Sequence, residues 1–235
     1  EQMTGFRPSR WTPLVLISLL SYGCSDSSGP NGSLDAQIRY VNGINNTVGV
    51  VEIGLEGGPS SELAFKGESV YADAAPSFRI AFASDQDGTL RSSEVFLSAG
   101  THYTIAFVGR ADIRLVSGIF LADDPGGEPD QGRAFVRVVQ GGLQAGEVDV
   151  YLLEPGDEVD GSPDVSGLNW LDVTLYGDFV SGDLELVLTR VAEPDSVLFE
   201  SGALTIPSAS TRTLLVVDGT AAVDAIDLIV LNDDD

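Results

Sequence analysis

The segment ASDQDGTLRSSE, residues 83–94, sets acidic side chains at the spacing of a calcium-binding loop. Asp85, Asp87, Gly88 and Glu94 fall on the template in which alternating acids, a glycine turn and a terminal glutamate wrap one Ca2+. Calcium takes about six to eight oxygens, and Ala83 stands where the first carboxylate belongs. Strands rather than helices flank the segment, and Asp-Gly between alternating strands is a strong hairpin signal. The sequence therefore predicts a hairpin, with Asp85, Asp87 and Glu94 as candidate metal ligands and Ca2+ as the one cofactor they suggest. AEPDS, residues 192–196, places Glu193 and Asp195 at the corresponding point of the second half of the chain.

Other chemistry is sparse. A nucleophile needs a base and an orienting group, and His102 is the single histidine. It lies on an expected strand, 102–109, where Tyr103, Ile105 and Phe107 share one face and His102 shares the other with Thr104. No Gly-x-Ser-x-Gly elbow, no His/Cys zinc cluster and no phosphate-cradling loop occurs in the chain. With 36 acidic residues, chance carboxylate pairs are certain, so a carboxylate-pair hydrolase stays a rival with no residues to name. Acids also cluster at Asp123, Asp124, Glu128 and Asp130, and in EPGDEVDGSPD, 154–164. A hard cation at a domain junction would relieve such repulsion; solvated loops explain them more simply. Trp170 could stack on a sugar, although a tryptophan at a strand start usually belongs to the core. No catalytic residue emerges, and the expected protein is not an enzyme.

The only cysteine, Cys24, follows an apolar run, Leu14–Leu20, that is preceded by Arg7 and Arg10. The run is far shorter than the roughly 20 residues needed to span a bilayer, and its order matches an export signal. Gly23-Cys24 resembles the cut of a bacterial lipoprotein signal, with Leu20 one place earlier than usual. That resemblance implies a signal peptide at 1–23, lipidation of Cys24 and a flexible tether at 24–33. It implies an outer-membrane lipoprotein of the cell envelope, held to the membrane through its lipid anchor. A lone cysteine forms no disulfide within one chain, so the fold rests on its core.

A formal charge of −24, from 12 basic and 36 acidic residues, excludes nucleic-acid binding, which needs a basic surface to displace counterions. It also opposes charge-driven adhesion to anionic headgroups, and a partner in the envelope or outside the cell stays unidentified. Apolar residues at 43% with 27 glycines describe a globular chain with many turns. Short Val/Ile/Leu/Phe/Tyr runs between Gly, Pro, Asp and Ser read as all-β.

The chain also repeats itself. AQIRYVNG at 36–43 matches AFVRVVQG at 134–141, VGVVEI at 48–53 matches VDVYLL at 148–153, and LADD at 121–124 matches LNDD at 231–234. Val70-Tyr71 matches Leu175-Tyr176, and FRIAF at 78–82 matches LELVL at 184–188, an offset of 106. Two tandem immunoglobulin-like β-sandwich domains follow, at 34–125 and 133–235 with a polar linker at 126–132. Seven strands are expected in each: 35–41, 48–55, 69–72, 77–84, 94–97, 102–109 and 112–121, then 133–139, 147–153, 171–176, 183–191, 203–206, 211–217 and 222–231. Phe78, Ile80 and Phe82 should share one apolar face, as should Leu184, Leu186 and Leu188. A Pro/Gly-rich linker predicts few contacts between units and separate folding.

GRAFVRVVQGGLQAGEVDVYLLEPG, 132–156, resembles the opening of the family called domain of unknown function 4397, an Arg-Val-Val strand, a loop and Val-Asp-Val-Tyr. LSAGTHYTIAFVG, 97–109, is similar to a later strand of that family, and LADD to its closing segment. The usual His-Ala-Ser-Pro-Asp-Ala-Pro loop is replaced by Gln140–Gly146. The resemblance implies an exported, often tandem β-sandwich at the bacterial cell surface and no known activity. Three functions are consistent with these residues. One is a non-enzymatic lipid-anchored envelope module that binds a partner or acts as a spacer. The others are a calcium-dependent ligand-binding module and a secreted hydrolase.

Overall fold

Alternating apolar runs pair into sixteen strands in the computed structural model, which describes residues 35–220 and 225–234. The first half contributes β1 (Ala36–Asn45), β2 (Val51–Leu55), β3 (Ser60–Leu63), β4 (Ala72–Ala74), β5 (Phe78–Asp85), β6 (Gly88–Phe96), β7 (His102–Arg110) and β8 (Leu115–Ala122). The second contributes β9 (Arg133–Gln140), β10 (Val148–Leu153), β11 (Val165–Leu168), β12 (Gly177–Val180), β13 (Gly182–Arg190), β14 (Glu193–Ile206), β15 (Ser210–Asp218) and β16 (Ile226–Asn232). Each half is a two-sheet sandwich. The sheets are β4-β1-β7-β8 with β3-β2-β5-β6, and β12-β9-β15-β16 with β11-β10-β13-β14. The first strand of each half runs parallel to the seventh, β1 beside β7 and β9 beside β15.

Eight strands form in each half where seven were expected. The additional ones, β3 (SSEL) and β11 (VSGL), are edge strands. With one neighbour each, they need little apolar content, and hydrophobic periodicity passes over them. β6 and β14 are longer than expected, starting immediately after their two-residue turns. The segments expected at 69–72 and 171–176 touch their sheets mainly near single bridges, Val41 with Glu68 and Val139 with Val173. The strands that follow them, β4 and β12, lie a few residues later.

Each sandwich encloses its own core. Ile38, Tyr40, Ile53, Leu55, Ile105 and Phe107 lead the first, and Val136, Val150, Leu186, Leu188, Leu214 and Val216 the second. The faces of β5 are the reverse of the expectation. Ala81 and Ala83 point into the core, while Phe78 is 78% exposed and Phe96 beside it 56%. The reason is a register slip of one residue, which moves every side chain to the other face. Asp85 pairs with Gly88 across one turn and Arg190 with Glu193 across the other, so the structural offset here is 105, not 106. Leu184, Leu186 and Leu188 therefore correspond to Arg79, Ala81 and Ala83.

The two sandwiches also share a third apolar cluster. Val41, Ala106, Val108, Ile119 and Leu121 pack on Val139, Leu215, Val217, Ile229 and Leu231. The outer face of β4-β1-β7-β8 thus lies on that of β12-β9-β15-β16, and the central strands are buried on both faces. Strands covered on both sides need near-continuous apolar runs, which accounts for Leu214-Leu215-Val216-Val217. A Cβ on Gly43 would lie 2.8 Å from the Val217 Cγ1, and one on Gly141 2.8 Å from the Val108 Cγ1. Only glycine allows the sheets this close. The polar linker does not keep the halves apart, because the surfaces it joins are apolar.

Candidate functional site

Arg39 and Arg137 hold matching outward positions on β1 and β9, and each reaches into the other half. Arg39 Nη2 donates to Asp233 Oδ1 at 2.5 Å, and its Nη1 donates to the Asn232 carbonyl at 2.5 Å. With the halves exchanged, Arg137 Nη2 donates to Asp123 Oδ1, and its Nη1 donates to the Ala122 carbonyl at 2.8 Å. Each aspartate is completed from its own half. Asp123 Oδ2 accepts from Thr104 Oγ1 at 2.6 Å and from the Tyr71 hydroxyl at 2.9 Å. Asp233 Oδ2 accepts from Thr213 Oγ1 at 2.5 Å and from the Tyr176 hydroxyl at 3.0 Å. The guanidinium carbons stand 5.0 Å and 4.5 Å from the ring centres of Tyr71 and Tyr176, within cation–π range.

Water hardly reaches this cluster: both arginine side chains are 4% exposed and both aspartates 0%. Burying four charges is costly unless they cancel and every polar atom is partnered; here the signs balance. Burial works against the Arg39 charge, yet the attraction of Asp233, which also accepts its hydrogen bond, and of Asp123 outweighs it and holds its pKa above the ordinary value. Burial, then the neighbouring carboxylates, push the Tyr71 and Tyr176 phenols up, so both remain protonated donors. The cluster joins the halves and is sealed from any substrate. Its residues lie inside the internal repeats, Arg39 and Arg137 in the strand repeat, Asp123 and Asp233 in LADD and LNDD. An arginine recurring in an apolar strand, matched by a recurring acid, was the available signal. The cation that relieves Asp123 at the junction is a guanidinium.

The candidate calcium ligands are not gathered. Asp85 Oδ1 accepts from the Asp87 backbone N–H at 2.9 Å, which closes the turn. Glu94 pairs with Ile80, five residues along β5 from Asp85, or about 16 Å at strand rise. Glu193 and Asp195 do not mirror the acids of the turn, since Arg190 and Glu193 flank the second one. No group of three or more metal-capable side chains forms among the described residues. Cys24 lies outside the described residues. His102 stacks edge-on against Tyr71 at 5.2 Å, beside the interface cluster. Trp170 is half-buried and donates from Nε1 to the Gly141 carbonyl at 3.2 Å. Asp149, the acid of Val-Asp-Val-Tyr, is buried and accepts from Ser166, Gly167 and Ala192. It ties β11 to the β13–β14 turn.

Open concavities lie on the outer sheet of each sandwich, the face away from the joint. On the first, a cleft of about 250 Å³ is lined by Glu56, Phe78, Arg79, Ile80 and Glu94. Glu56, Ile80 and Glu94 form one cross-strand row, because Glu56 N–H donates to the Ile80 carbonyl and Ile80 pairs with Glu94. The next row holds Phe78 and Phe96, ring centres 4.8 Å apart and tilted 51°. On the second sandwich, a hollow of about 520 Å³ is acidic, with Asp157, Glu158, Glu185, Asp195 and Glu200 on its walls.

Two β-sandwiches joined back to back by exchanged arginine–aspartate pairs define an all-β, double-sandwich protein. Residues 27–151 match the family described as Domain of unknown function (DUF4397), and the chain belongs to that family. The match covers the strands of the first half and continues to Tyr151 in β10, the end of Val-Asp-Val-Tyr. No curated protein matches the chain. Among solved structures, it is similar to the carbohydrate-binding module CBMbc (family CBM26) of Eubacterium rectale Amy13K in complex with maltoheptaose. Identity is 13%, coverage 84% of this chain and 96% of that one, and the TM-score 0.26. A likeness of that extent says nothing of a ligand. No helix among the described residues is long and apolar enough to cross a membrane.

Proposed function

We propose that this chain is a non-catalytic binding module of the bacterial cell envelope, lipid-anchored at Cys24 and presenting a double sandwich on a short tether. One observation carries the binding half of this reading. The buried charges of Arg39, Arg137, Asp123 and Asp233 are occupied in joining the sandwiches, while Phe78 and Phe96 remain exposed on an outer sheet beside an open cleft. Exposed aromatics at a concave surface with a few polar groups are what a recognition site requires. The anchoring half rests on the basic, apolar and small-residue order of residues 7–24.

The test has two arms. Cys24→Ser should move the protein from the membrane to the soluble fraction; if it still pellets with membranes, the anchor is elsewhere. The mature chain, used as bait on intact envelopes, should retain a component that a Phe78→Ala, Phe96→Ala variant does not. Equal retention by both would remove this face from the reading.

A further inference from the structure

Resting on the lipid-anchor reading, we infer that the joint is a binding surface in its own right. The first sandwich holds the second as a non-covalent partner, and the strap 124–132 can be cut without releasing it. Cys24 precedes the first sandwich, so the second stays at the membrane either through the strap or through the joint. The two attachments are built very differently.

The strap is thin. Asp124, Gly126, Gly127, Glu128, Asp130 and Gln131 are exposed, and a Cβ on Gly126 or Gly127 would meet no atom within 4 Å. Two of its hydrogen bonds close its own turns. Gly126 N–H donates to Asp124 Oδ1 at 2.7 Å, and Arg133 N–H donates to the Asp130 carbonyl at 2.9 Å. Another reaches the second sandwich, from Gly132 N–H to Ser208 Oγ at 2.7 Å. An exposed, polar Gly/Pro segment of this kind is where proteases nick a folded chain.

The joint is pinned along its length. At one end stand the exchanged pairs of Arg39 with Asp233 and Arg137 with Asp123. In the middle Val41, Ala106 and Val108 lie with Val139, Leu215 and Val217 in one cluster. At the far end Asn45 Nδ2 donates to the Gly219 carbonyl at 2.5 Å, and Lys66 Nζ donates to Asp227 Oδ1 at 2.6 Å. Each of these contacts runs directly from one sandwich to the other. A break between Gly126 and Gly127 also leaves Asp123 in place, because Thr104 and Tyr71 of its own half donate to it.

What the strap adds is proximity, an effective concentration on the order of millimolar. An apolar centre closed at its end by fully paired charges is the composition of a permanent interface. The occupant of the first sandwich's joint face is therefore the second sandwich, with or without an intact backbone between them.

The experiment inserts the recognition sequence of a site-specific protease between Gly126 and Gly127 of the full chain and cuts it on isolated membranes. The second fragment should pellet with the first. After detergent extraction the two should leave a gel-filtration column in one peak and separate only in denaturant. Asp233→Asn, which keeps the shape and removes one charge, should weaken the hold between the cut halves about tenfold or more. Release of the second fragment into the supernatant on cutting, or two separate peaks, would overturn the inference. If the uncut chain is itself found in the soluble fraction, the anchor reading fails instead. Elution of its cut halves in one peak then still supports the joint as a binding surface, and elution in two still overturns it.

Discussion

Arg39 and Asp233, 194 residues apart in sequence, meet at 2.5 Å across the joint between the sandwiches, and Arg137 meets Asp123 in the same way with the halves exchanged. This is the geometry of an isologous dimer interface, in which residue i contacts j and j contacts i. Here both copies lie on one chain. The repeat units AQIRYVNG and AFVRVVQG carry the arginine, the apolar contact and the glycine of close approach together, so the repeat encodes the joint as well as the strand.

Removing one partner of a buried, hydrogen-bonded pair leaves the other charge stranded. Asp233→Ala should lower the free energy of unfolding by about 3–5 kcal/mol, measured by urea denaturation. Arg39→Met combined with Asp233→Leu should cost less than Asp233→Ala alone, because no uncompensated charge remains. A loss within about 1 kcal/mol for Asp233→Ala, the range of exposed pairs, would mean that water reaches the cluster.

Alone, residues 34–125 would bare Val41, Ala106, Val108, Ile119 and Leu121 and leave Arg39 without Asp233. A second copy can supply both needs, since its Asp123 occupies the place that Asp233 takes in the intact chain. The fragment should therefore self-associate, with a light-scattering mass of a dimer and a melting temperature that rises with concentration. A monomer with a concentration-independent melt would return to the separate folding that the polar linker suggests.

Much of this architecture is legible in the sequence. Apolar alternation and turn residues give the all-β class and the tandem, because those signals are local. Register is not local. The matches FRIAF and LELVL align by hydrophobicity at 106, while the turns align at 105, and that single residue exposes Phe78 and Ile80 instead of burying them. The best candidate surface was thus hidden by an expectation that large apolar groups go inside. The acids at Asp85, Asp87 and Glu94 are close in sequence, but a strand carries Glu94 away from the turn. Asp123 was read with the acidic linker although LADD and LNDD repeat it, since its arginine partner lies in the other half.

Asp218 is fully buried; its Oδ1 accepts from the Gln144 N–H at 2.8 Å, and its Oδ2 has no partner among the described residues. Burial raises its pKa above the ordinary 3.8, against the pull of the Gln144 and Leu143 N–H groups. The folded state then binds this proton more tightly than the unfolded state. Stability is lost as pH rises from 3.8 through the raised folded value. Asp218→Asn should accordingly raise the melting temperature at neutral pH. The gain should vanish below pH 3.8, where both states are protonated. A variant less stable than the parent at neutral pH would show that the carboxylate form is the stabilising one.

The last prediction concerns calcium. Two acids at a turn repel, and Asp85 and Asp87 stand at the tip of the β5–β6 hairpin with the Asp85 carboxylate already holding the Asp87 N–H. Calcium needs about six to eight oxygens; Ala83 gives no side-chain oxygen, and Glu94 lies beside Ile80, along the strand from the tip. Two carboxylates make a screening site and little more. Millimolar calcium should raise the melting temperature only slightly, and magnesium should do nearly the same through general screening of the acidic surface. A large shift with calcium alone, abolished by Asp85→Asn with Asp87→Asn, would mean that the hairpin tip recruits further oxygens on binding. That result would make the calcium-dependent module the better account of this face.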